Sequence, residues 1–156
     1  MRWLAIFLLI SVALLFWTGV FLKDPAPWPD EALYGNISLN IIKEGRMGLD
    51  LFTGYMPSIE RYVYWYPPIL FYSLAGWFKV FGFSVVSERV MVATLAVLLF
   101  ATYYLFAQLL TKGSFGGKPY SKFIFTVAPL MLLFDESFGR MTRIARPEIL
   151  VTLFGI

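Results

Sequence analysis

Residues 3–22 run from Trp3 to Leu22 without a charged side chain, with Arg2 just ahead of them. About 20 apolar residues span a bilayer. No small-x-small cleavage site follows, so the stretch reads as an uncleaved anchor rather than a signal peptide. With Arg2 inside, the chain emerges on the far side near residue 23. Pro25, Pro27 and Pro29 then hold it semi-extended. From Asp30 to Glu44 the apolar positions Leu33, Ile37 and Ile41 recur at a helical period, and Gly45 follows, which predicts an amphipathic helix over 30–44. Residues 46–66 mix Gly, Pro and both signs of charge and are expected to form a loop. It closes on Tyr62-Val63-Tyr64-Trp65-Tyr66, a set suited to a membrane interface.

The next segment, 67–82, is apolar but short. As a helix it would be about 24 Å long against a hydrocarbon core of roughly 30 Å, and it contains Lys79. It is expected to lie along the outer membrane surface; a short span is the alternative. A second clear span is expected over 90–111, with Glu88 and Arg89 at its start and Lys112 at its end, and a third over 120–138, with Pro129 inside it. A fourth opens at 148 and is cut at 156. The expected fold is therefore all-α: a polytopic integral membrane protein whose long first external loop, 23–88, carries two surface helices. Charge does not fix the topology, because Lys112, Lys118 and Lys122 oppose Arg140, Arg143 and Arg146 across the third span. Segment length favours the arrangement that puts the arginines outside.

Composition agrees with a membrane protein: 59% of the 156 residues are hydrophobic and 15% are charged, where a soluble domain carries roughly half and a quarter. A scattered net charge of +3 gives no reason to expect nucleic acid. There is no Cys and no His, which excludes disulfides, thiol nucleophiles, Ser-His-Asp triads and the usual zinc ligands. Acid–base chemistry falls to Asp, Glu, Lys or Tyr, and any metal to oxygen ligands. The feature that calls for explanation is the acid pair Asp30-Glu31 beside the first anchor, because carboxylates held against a bilayer are costly. They can also serve only to offset the dipole of a helix start.

The order of several short motifs resembles the N-terminal part of the GT-C superfamily of membrane glycosyltransferases. Within it the likeness is to glycosyltransferase family 39, which includes protein O-mannosyltransferases and the lipid A aminoarabinose transferase. The matching pieces are Trp28-Pro29-Asp30-Glu31-Ala32-Leu33-Tyr34, Ile42-Lys43-Glu44-Gly45-Arg46, Tyr66-Pro67-Pro68-Ile69-Leu70-Phe71-Tyr72, Phe81-Gly82-Phe83-Ser84 with Glu88-Arg89, and Arg143-Ile144-Ala145-Arg146-Pro147-Glu148. The resemblance implies transfer of a sugar from a polyprenyl- or dolichyl-phosphate donor to a protein, lipid or glycan hydroxyl, with inversion. The active site would face the extracytoplasmic side of the cell membrane, or the endoplasmic reticulum lumen in a eukaryote. It further implies that Asp30 is the catalytic base and that this chain is a fragment of a longer enzyme.

On that reading Glu31 orients the acceptor or tunes Asp30. Arg140, Arg143 and Arg146, spaced i, i+3 and i+6, meet the donor phosphate. Tyr34, Arg89 and Glu148 are further substrate-binding candidates. Tyr34 also fits core packing, and Arg89, placed at a helix start, calls for a phosphate or carboxylate partner. A divalent cation, Mg or Mn, is left open, with Asp30 and Glu148 as its candidate ligands. Asp135 and Glu136 are either interfacial or face the same cavity. A different class of function is a non-catalytic polytopic scaffold or assembly subunit, which a genuine stop after Ile156 would favour.

Overall fold

The computed structural model describes residues 26–112. The expected spans over 3–22, 120–138 and 148–156 lie outside them, as do Arg140, Arg143, Arg146 and Glu148. Three α-helices and one short 3-10 turn make up the described part, and no strand occurs among the described residues.

The first helix, α1, spans Pro29–Glu44. Pro29 fits the first helical position, where no intrahelical bond is asked of its nitrogen. The Glu31 carboxylate reaches back to accept the Trp28 N–H at 2.8 Å, which satisfies one of the open donors of the first turn. Gly45 ends the helix with φ at 69°, a left-handed conformation that glycine adopts without strain, and its N–H donates to the Ile41 carbonyl.

The segment that follows is irregular except for the turn Asp50–Phe52. It is tied to itself and to α1 by polar contacts. Val63 N–H donates to the Met47 carbonyl at 2.7 Å and Leu49 N–H to the Ile59 carbonyl at 2.9 Å. The buried Asn40 amide donates to the Gly48 carbonyl and to Asp50, both at 3.0 Å. Asn36 accepts the Asp50 N–H. Arg46 bridges Glu44, Asp50 and the Glu60 carbonyl; hydrogen bonds to Glu44 and then Asp50 hold its guanidinium more firmly in the charged form. This is how a stretch rich in Gly and Pro keeps Met47, Leu49, Ile59 and Val63 inside the core.

The second helix, α2, spans Pro68–Phe81, one residue inside each expected boundary. Leu70, Phe71, Leu74, Ala75 and Phe78 form its buried stripe, while Ile69, Tyr72, Val80 and Phe81 stay exposed on the other side. Lys79 shares that exposed side, so the helix is largely apolar on both faces but carries one charge. The third helix, α3, spans Val85–Lys112. Its start corrects the expected boundary at 90: Ser84 accepts the Ser87 N–H at 3.0 Å and caps the helix earlier. Glu88 and Arg89, expected at the very start of the span, therefore lie within the first two turns of α3. Residues Val85–Tyr103 are apolar and long enough to cross a membrane, with a mean hydropathy of 1.8, and this is the one such helix among the described residues. Its Thr94 and Thr102 hydroxyls donate to carbonyls four residues back, so they need no outside partner.

One core joins the three helices. Tyr34 and Ile37 of α1 meet Leu70, Phe71, Leu74 and Phe78 of α2, the four loop residues, and Met91 of α3. Farther along α3, Val92, Ala93, Ala96 and Leu99 form a second buried cluster.

Candidate functional site

Where the start of α1 meets the start of α3, three ionisable side chains are buried together. Glu31 is 1% exposed, Glu88 1% and Arg89 2%. The Arg89 guanidinium grips the Glu31 carboxylate with both arms: Nε donates to Oε1 at 2.7 Å and Nη2 to Oε2 at 2.8 Å. Such two-point pairs are short, directional and stronger than single contacts. The partners lie 58 residues apart in sequence. Glu31 thus does two jobs at once, closing the first turn of α1 through Trp28 and tying that turn to α3.

Adjacent residues on a helix point about 100° apart. With Glu31 turned inward, Asp30 is turned away from that position and is half-buried; it has a partner of its own. Glu88, next to Arg89 on α3, is directed at the small face of α1. A Cβ on Gly35 would meet its Oε2 at 3.7 Å and the Phe83 ring at 3.0 Å, so glycine lets the two helices approach here. The Oε1 of Glu88 is buried and has no hydrogen-bond partner among the described residues.

The expected site residues therefore separate. Glu31 and Arg89 come together, with Asp30 next to Glu31 along α1. The carboxylate partner that Arg89 called for is Glu31. Tyr34 is 2% exposed and packs its ring against Tyr66 at 5.3 Å, edge to face, and against Phe71 at 6.0 Å. That is the core-packing placement. No group of three or more acidic side chains that could hold a metal occurs among the described residues.

No family model, curated protein or solved structure matches the chain. Its functional reading therefore rests on the motif resemblance of the sequence and on the placement of its own residues.

In the sequence Glu88 is a charge at the start of a span and part of a motif piece, with no role of its own assigned. The signal that would have raised it is Ser84, three residues before Ser87: a cap at that point places Glu88 and Arg89 inside the helix, one beside the other, where each needs burial partners.

Proposed function

We propose that this chain is the N-terminal part of a polytopic integral membrane glycosyltransferase of the GT-C type, and that Asp30 removes the proton from the acceptor hydroxyl. The observation that carries the reading is the division of labour in the acid pair. Glu31 is committed to Arg89 of α3 inside the protein, while Asp30, the residue before it on α1, stays half-buried.

The chemistry is a displacement. The acceptor oxygen bonds to the sugar C1 as its proton passes to the Asp30 carboxylate; the C1–O bond to the lipid phosphate breaks, and its electron pair leaves with the phosphate. The departing charge needs cations. Arg140, Arg143 and Arg146 are assigned that role, since Arg89 has its Nε and Nη2 engaged with Glu31. Asp30 and Glu148 are the candidate ligands of a divalent cation, Mg or Mn, which would supply further charge neutralisation at the phosphate.

The test is Asp30→Asn in the full-length parent, assayed with a series of polyprenyl-phosphate sugars. Transfer is expected to fall by about 10²-fold or more, the usual weight of a general base, at an unchanged level of protein in the membrane. Unchanged activity removes the base assignment. A parent that transfers none of these sugars favours the scaffold reading instead.

A further inference from the structure

We propose that Glu31 and Arg89 are positioning residues: a buried latch between α1 and α3 that sets the direction of Asp30 without touching substrate. The inference rests on the assignment of Asp30 as the base.

Three observations carry it. Both carboxylate oxygens of Glu31 are engaged by the same guanidinium, and one of them also accepts the Trp28 N–H. A carboxylate so occupied is a poor proton acceptor and has little left to offer a sugar hydroxyl. Both side chains are shielded from solvent, 2% and 0% exposed, so a donor phosphate would have to displace Glu31 from a dry two-point pair to reach the same arms of Arg89. Third, the latch acts at a helix end. The first turn of α1 follows an exposed, irregular stretch at residues 26–28, and helix ends open readily unless tied down. Asp30 lies in that turn, one residue before the anchored position. Loosening Glu31 lets the turn swing, and Asp30 swings with it.

The planar fork of arginine is what makes the pair two-pointed; lysine keeps the charge and loses the fork. The experiment therefore uses Arg89→Lys, with Glu31→Asp as a second, equally conservative variant, both in the full-length parent. Initial rates are measured against donor concentration, and amide hydrogen exchange is followed over residues 28–34. The latch predicts a kcat lower by about 10–100-fold, as expected for a misplaced catalytic group. The donor KM should stay within about twofold, because no uniform binding contact has been lost. Exchange should be faster over 28–34 and unchanged in α2. A donor KM that rises with kcat preserved makes Arg89 a phosphate contact and overturns the latch. So does unaltered exchange over 28–34. Failure of both variants to accumulate in the membrane makes the pair a requirement for folding and overturns the positioning role. Asp30→Asn is run alongside: if it keeps full activity the base assignment fails, and the faster exchange of the two latch variants still reports whether the tie itself exists.

Discussion

Glu31 and Glu88 are both buried carboxyl groups, but their surroundings predict opposite responses to the same change. Glu31 accepts from Arg89 and Trp28, so Glu31→Gln removes half of a buried ion pair and strands the arginine. Breaking such a pair costs about 3–5 kcal/mol. Glu88 has an oxygen without a partner among the described residues, and Glu88→Gln removes an acid from a dry site while keeping its shape. Thermal unfolding of the two variants in detergent should show a clear loss for Glu31→Gln and no loss, or a gain, for Glu88→Gln. Equal losses would mean that Glu88 has an essential partner. The sequence shows Asp30 and Glu31 side by side, and their closeness to the first anchor, but not which of the two turns inward. That choice depends on Arg89, 58 residues away, and no local pattern connects them. The need of Arg89 for an anionic partner was legible; that a protein carboxylate meets it required the fold.

At the scale of elements, helix periodicity was the reliable guide. The alternation of Leu33, Ile37 and Ile41 with polar neighbours, closed by Gly45, located α1 to within one residue of Pro29–Glu44. The Pro-Pro start and Gly82 did the same for α2. The loop between them was legible only as a loop. Its order comes from side chains such as Asn40, which reads in sequence as a polar position on a helix and is in fact the tether for Gly48 and Asp50. Asn40→Ala leaves the Gly48 carbonyl without this bond and should destabilise by about 1–3 kcal/mol, with the earliest proteolytic cuts falling within 46–63. Cuts elsewhere would show that the tether is dispensable. Gly48 is constrained more tightly still: a Cβ would collide with the Glu60 carbonyl oxygen, a backbone atom that cannot swing aside. Gly48→Ala should therefore displace Glu60 and lower the unfolding temperature, whereas Gly76→Ala, with open space around it, should not.

For the whole molecule, the described residues form a helical unit in which an apolar helix of membrane-spanning length carries an acidic, ion-paired junction at its head. The proposed enzyme needs that junction on the extracytoplasmic side, at the lipid surface where a polyprenyl-phosphate sugar would present its headgroup. The 156 residues contain no cysteine, so a cysteine placed on the first turn of α1 is the one thiol they carry, and the unsubstituted parent is the control for thiols elsewhere. Ala32 is exposed and lies beside the acid pair. The most direct measurement is labelling of Ala32→Cys with a membrane-impermeant maleimide in sealed vesicles of known orientation. The account predicts labelling from the extracytoplasmic face without permeabilisation; labelling only from the cytoplasmic face would contradict it.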